Sequence, residues 1–169
     1  MFTIRHAFIV ALISYLLPVP LASAQTVLYM KAKSSSNKCL HQEGGTLNNG
    51  DKISQWDCKK QTNIALRKID QGNDRFMLQF VHSDKCVHLH GASRDNGAAI
   101  TQWDCEVGKG NLLWTQQPAG GGYFYIRSVA SNKCIQVHGG VPNNGTAITQ
   151  WDCINRPNVQ WKFVTSPGG

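Results

Sequence analysis

One short stretch of sequence is used three times, and the spacing around it allows few folds. It reads Ile53-Ser54-Gln55-Trp56-Asp57-Cys58, then Ile100-Thr101-Gln102-Trp103-Asp104-Cys105, then Ile148-Thr149-Gln150-Trp151-Asp152-Cys153. Counted from an earlier cysteine (Cys39, Cys86, Cys134), glycine falls at +11 (Gly50, Gly97, Gly145), isoleucine at +14, tryptophan at +17 and a second cysteine at +19, with no gap in any copy. Register kept this strictly marks one structural unit used three times. It also disfavours a single catalytic centre, because nothing chemical is unique to one copy.

All six cysteines lie in the repeats. Before them, Arg5 and His6 precede an apolar run, Ala7 to Leu17, which Pro18 and Pro20 interrupt. Ala22-Ser23-Ala24 then supplies small residues ahead of Gln25. This is the layout of a secretory leader over residues 1–24, and the run is shorter than the ~20 apolar residues a spanning helix needs. The expected mature chain is a single domain over residues 25–169, secreted to an extracellular or periplasmic space. There, an even cysteine count at equal spacing reads as disulfides. Repetition favours the pairing that is the same in each unit: Cys39 with Cys58, Cys86 with Cys105, Cys134 with Cys153. Each bridge would close a loop of about twenty residues, worth about 3 kcal/mol. Cys86-Val87-His88-Leu89-His90 invites a zinc reading, but Cys134-Ile135-Gln136 lacks the first histidine and no close cysteine pair is present. No metal or cofactor is expected.

The net charge is +7 at pH 7. The lysines and arginines are scattered, with no run longer than Lys59-Lys60. A nucleic-acid footprint is a clustered patch, so the charge is read as solubility.

Short apolar runs alternate with Gly- and Asn-rich turns, and no helical period stands out. Strands are expected at Val27 to Lys33, then Ile64 to Ile69, Phe76 to Val81, Leu112 to Gln116, Tyr123 to Arg127 and Val159 to Val164. Asn49-Gly50, Asn96-Gly97 and Asn144-Gly145 predict hairpins with tight primed turns. Alternation along the Trp-bearing strand puts Ile53 and Gln55 on one face, Ser54 and Trp56 on the other. The units run over about residues 26–72, 73–119 and 120–165. A period of this length with a Trp-Asp dipeptide also fits propeller blades, but a propeller needs at least four. Three units of about four strands each close as an all-β trefoil: a small barrel, a triangular hairpin cap and pseudo-threefold symmetry.

These residues resemble a known family. The Cys-x(18)-Cys frame, the midway glycine, Trp-Asp-Cys and a following Asn-x-x-Trp (Asn111 to Trp114, Asn158 to Trp161; Asn63 to Leu66 in the first unit) are similar to the ricin B-type lectin repeat. The resemblance covers Thr26 to Val164. It implies a β-trefoil that binds carbohydrate through up to three shallow sites. In each, a sugar face lies on an aromatic ring and polar side chains grip the hydroxyls. Carried over residue by residue, the aromatic positions are Trp56, Trp103 and Trp151. The polar residue two before each, Gln in the family pattern, is Ser54, Thr101 and Thr149. The completing asparagines are Asn63, Asn111 and Asn158. The family's acidic residue, two after the first cysteine, is replaced by His41, His88 and Gln136, which points away from a simple galactose specificity. Gly44, Gly91 and Gly139 bring backbone near any ligand, beside His90 and His138. Asp57, Asp104 and Asp152 read as structural, each holding a turn or pairing with a base.

The expected function is therefore non-enzymatic binding of glycans (glycoprotein, glycolipid or polysaccharide), alone or as the targeting subunit of a separate toxin or enzyme. The alternative is a trefoil that binds protein, such as a protease inhibitor or a toxin-assembly subunit, with Asp70 to Asp74 as its loop. Asn144-Gly145-Thr146 is a glycosylation sequon.

Overall fold

A computed structural model describes residues 25–168; the expected leader lies outside the described residues. Twelve strands form the fold: β1 Val27–Ala32, β2 Lys38–Gln42, β3 Ile53–Asp57, β4 Leu66–Asp70, β5 Phe76–Phe80, β6 Cys86–Leu89, β7 Ile100–Trp103, β8 Trp114–Gly120, β9 Tyr123–Ser128, β10 Cys134–Val137, β11 Ile148–Trp151 and β12 Trp161–Val164. Pairing runs β12 to β1, β1 to β4, β4 to β5, β5 to β8, β8 to β9 and β9 back to β12. That path is a closed six-stranded barrel, which leaves no barrel edge unpaired. The remaining strands form the hairpins β2–β3, β6–β7 and β10–β11. Single bridges Lys52–Thr101, Ser54–Ala147 and Ala99–Thr149 join the three hairpins into a triangular cap. The β-trefoil expected from the repeats is the fold, and the disulfides Cys39–Cys58, Cys86–Cys105 and Cys134–Cys153 pair within units, Cα atoms 4.9, 5.1 and 5.1 Å apart. Among the described residues no helix is long and apolar enough to cross a membrane.

The core is built in threefold layers. Ile53, Ile100 and Ile148 are each 1% exposed, and Leu40, Val87 and Ile135 are fully buried beside them. The barrel layer breaks the chemical symmetry but balances volume. Leu66 pairs across the ladder with Phe80, whereas Trp114 pairs with Ser128 and Trp161 with Ala32. A smaller residue faces a ring in the first unit, and a ring faces a small residue in the other two. Each buried indole also needs an acceptor; Trp114 Nε1 donates to Val87 O at 3.0 Å and Trp161 Nε1 to Ile135 O at 2.8 Å.

The repeated Gln-Trp-Asp string locks the units to one another. Gln55, Gln102 and Gln150 are buried. Gln102 Nε2 donates to Thr46 O and Asn48 O in the first unit, both at 3.0 Å. Gln150 Nε2 does the same to Ser93 O and Asp95 O of the second unit, and Gln55 Nε2 to Val141 O and Asn143 O of the third. The aspartates act in parallel. Asn49 donates to Asp104 at 2.7 Å and Asn96 to Asp152 at 2.8 Å, while Lys85, Lys133 and Lys38 pair with Asp104, Asp152 and Asp57. Hydrogen bonds from Lys38, and then from Asn144, hold the Asp57 carboxyl below the usual carboxylate range.

This corrects the expectation of tight hairpin turns. The segment between β2 and β3 is ten residues, Glu43 to Lys52, and contains a 3₁₀ turn at Glu43–Gly45. Gly50, Gly97 and Gly145 have φ of +87°, +86° and +79°, but the preceding asparagines are not in the positive-φ region that either primed turn requires of its first central residue. The asparagines serve instead as side-chain donors to the neighbouring unit's aspartate.

Two stability outcomes follow. Leu66→Trp overpacks against Phe80 and lowers stability by about 1–3 kcal/mol; Phe80→Ser in the same chain restores most of it, measured by urea denaturation. Gln102→Ala strips the Thr46 and Asn48 carbonyls of their donor and costs about 1–3 kcal/mol in the same measurement.

Candidate functional site

Each unit brings together three side chains from three local elements, at equivalent positions. The residue two after the first cysteine sits in the second strand of its unit and points across the hairpin to the Ser or Thr paired with it: His41 with Ser54, His88 with Thr101, Gln136 with Thr149. A 3₁₀ turn (Thr62–Ile64, Gly110–Leu112, Pro157–Val159) then presents the asparagine. The three turns are anchored by their buried residues Ile64, Leu112 and Val159.

Hydrogen bonds tie each set together. Asn111 Nδ2 donates to His88 Nε2 at 2.8 Å, and His88 Nδ1 lies 3.0 Å from Thr101 Oγ1. Asn63 Nδ2 donates to His41 Nε2 at 2.9 Å, with His41 Nδ1 3.3 Å from Ser54 Oγ. In the third unit Asn158 Nδ2 donates to Gln136 Oε1 at 2.9 Å, and Gln136 Nε2 donates to Thr149 Oγ1 at 3.0 Å. A glutamine amide has one acceptor and donors on the other arm, so it copies what a neutral imidazole does. The network therefore assigns the tautomer: Nε2 accepts, and Nδ1 carries the proton toward the hydroxyl. Asn63 and Asn158 cannot reverse their amides freely, because Nδ2 also donates to Gln42 O and Val137 O. In these two units the amide nitrogen is committed, and Oδ1 is the free atom of the asparagine.

Both histidines are held neutral. Burial, and then the His90 charge, push His88 down to about 4, and burial lowers His41. Cys86 is bonded to Cys105 and both His88 ring nitrogens are engaged, so the Cys-x-His-x-His sequence is not a metal site.

Trp103 and Trp151 are half-buried and Trp56 is 39% exposed. In the first two units the imidazole lies beside the indole, with centroids 5.4 Å apart for His41–Trp56 and 5.1 Å for His88–Trp103. Two grooves open here. One, of about 340 Å³, is lined by His88, His90, Gly91, Trp103, Glu106 and Asn111. The other, of about 440 Å³, is lined by Gln136, His138, Gly139, Trp151, Arg156 and Asn158. In the first unit His82 ties the walls together, bonding Gly45 O at 2.7 Å and lying 3.4 Å from Thr62 Oγ1; the second unit has Ala130 at that place.

The carried-over residues thus converge in every unit. Thr101 and Thr149 are buried beneath the histidine or glutamine, and Ser54 likewise, so they support it from below. Glu106, Lys109 and Arg156 were not singled out from sequence. They sit between the second cysteine and the asparagine, where the units differ, and only that position in the repeat could have pointed to them.

With this geometry in hand, comparison with known proteins is informative. The ricin-type β-trefoil lectin domain matches residues 27–161. The chain belongs to that family. Among solved structures, the lectin domain is similar to a designed threefold-symmetric protein, ThreeFoil, at 25% identity and a TM-score of 0.80, covering 82% of this chain and 98% of that one. An exo-β-1,3-galactanase from Clostridium thermocellum is 25% identical with a TM-score of 0.78; 87% of this chain is covered but only 31% of the enzyme. The C-half of an earthworm R-type lectin in complex with GalNAc is 18% identical with a TM-score of 0.65, covering 82% and 97%. Comparison of the sequence with curated proteins finds no match.

The two buried histidines make the fold acid-sensitive. Nε2 of an imidazolium must donate, yet it faces the Nδ2 of an asparagine, itself a donor. The folded pKa of His88, about 4, lies below the ordinary ~6.5, so between these values the unfolded chain binds more protons. Stability is full above about pH 6.5 and falls as the pH drops through about 4. NMR titration of the His88 ring should give the lowered pKa, and His88→Gln should remove that residue's share of the pH dependence.

Proposed function

We propose that this chain is a secreted lectin without enzymatic activity. Its saccharide sites are the grooves of the second and third units, with the first unit a weaker site. The observation that carries this reading is the repeated construction: an indole face, an outward asparagine oxygen and a supporting polar pair, at the same place in the fold. A pyranose lays its C–H face against Trp103 or Trp151. Its hydroxyls donate to Asn111 or Asn158 Oδ1, and the imidazoles of His90 and His138 supply further polar contacts at the rim. The earthworm lectin half that shares this fold is complexed with GalNAc, which supports an N-acetylated or plain hexose as the ligand class.

Each groove alone binds weakly. Sites on one rigid body act by avidity on a multivalent surface, which suits a protein that works outside the cell, in an extracellular or periplasmic space. The fold occupies 31% of the galactanase chain, and this supports a second role in which the chain serves as the targeting subunit of a separate enzyme or toxin.

The test is a glycan array with wild type, Trp103→Ala, Trp151→Ala and the double variant. Each single variant should lower the apparent affinity for the best glycan about tenfold or more, as loss of one of two linked sites implies. The double variant should lose binding. Uniform signal across all glycans, or full binding by the double variant, would overturn the reading.

A further inference from the structure

The end of the barrel away from the hairpin cap departs from the threefold pattern. Leu66, Trp114 and Trp161 fill one layer across the barrel. Two residues further along each strand, at equivalent places, stand Lys68, Gln116 and Phe163. Lys68 Nζ lies 4.1 Å from the Phe76 ring centroid and 5.9 Å from that of Phe163, and it donates to Gln116 Oε1 at 2.8 Å. Among the described residues no carboxylate lies within ion-pairing distance of it. This is a half-buried ammonium in the mouth of a barrel, resting on rings and one amide.

The mouth is a cavity of about 550 Å³, larger than either groove. Phe76, Pro118 and Phe124 form its apolar wall, Lys68 and Gln116 its polar one, and Asp70, Asp74 and Arg75 also line it. That volume is in the range of small-molecule sites.

We propose that the barrel mouth is a second binding site, separate from the glycan grooves, for a small organic monocarboxylate with an apolar body. The carboxylate pairs with Lys68 and accepts from Gln116 Nε2, whose Oε1 is already committed to the lysine. The body lies against Phe76, Pro118 and Phe124. Burial pushes the Lys68 pKa down against the weaker attraction of the Asp70 carboxylate, which lies outside pairing distance; a bound carboxylate supplies a directly paired charge. Asp70 and Asp74 in the same wall repel a second negative charge, which selects a monoanion over phosphate or a polysulfated chain.

The experiment is an NMR titration of the full folded protein with hexanoate, beside hexanol, glucuronate and inorganic phosphate, on wild type, Lys68→Met and Lys68→Gln. The last variant copies the residue at position 116 and guards against a folding defect in the first. Expected are saturable shifts centred on Phe76, Phe124 and Lys68 with hexanoate. Binding should be at least tenfold weaker in either variant and at least tenfold weaker for hexanol. No saturation, equal binding by the variants, equal binding of hexanol, or tighter binding of glucuronate or phosphate overturns the proposal. Because the shifts are read at the barrel mouth, the result is independent of whether the grooves bind sugar.

Discussion

A buried primary amide, used three times, ties the units of this fold to one another. Gln55, Gln102 and Gln150 each reach out of their own unit and hold two backbone carbonyls of a neighbour's long hairpin loop. Those loops are too long and too rich in glycine and asparagine to hold one shape unaided. A buried amide left unpaired is costly, so each loop adopts the shape that satisfies it. The asparagine–aspartate contacts then fix the loop tip on the outside. The strand that carries the glutamine also carries the tryptophan, one residue on. Structural and groove-lining residues therefore share one backbone segment, pointing to opposite faces.

That arrangement explains why the site tolerates variation in its polar set. His41, His88 and Gln136 occupy one position, and two different chemistries give the same pattern of one acceptor toward asparagine and one donor toward a hydroxyl. The position where the family carries an acid is thus neutral in all three units. What distinguishes the grooves is the segment after the second cysteine, with Glu106 and Lys109 in one and Arg156 in the other. Charge differs between grooves while the floor stays the same.

Much of this was legible in the chain. Gapless spacing of Cys, Gly, Ile, Trp and Cys was enough for the unit, its disulfide and the threefold closure, because each of those residues has one structural duty repeated three times. The asparagine-glycine pairs were misread as tight turns. A two-residue signal says nothing of an acceptor some fifty residues away, such as Asp104 for Asn49. The last strand of each unit was placed about two residues early, since a three-residue 3₁₀ turn such as Gly110–Leu112 has no periodicity of its own. Glu106 and Arg156 gained no weight from repetition because the units disagree there. Lys68 was invisible for the opposite reason: only the barrel brings Phe76, Gln116 and Phe163 around it.

The amide contacts run one way round. The second unit holds the first, the third holds the second, and the first holds the third. In an open stack of repeats the terminal member has one neighbour and frays first. A ring has no terminal member, so the contacts favour loss of all three units together, although the sequence repeats in thirds.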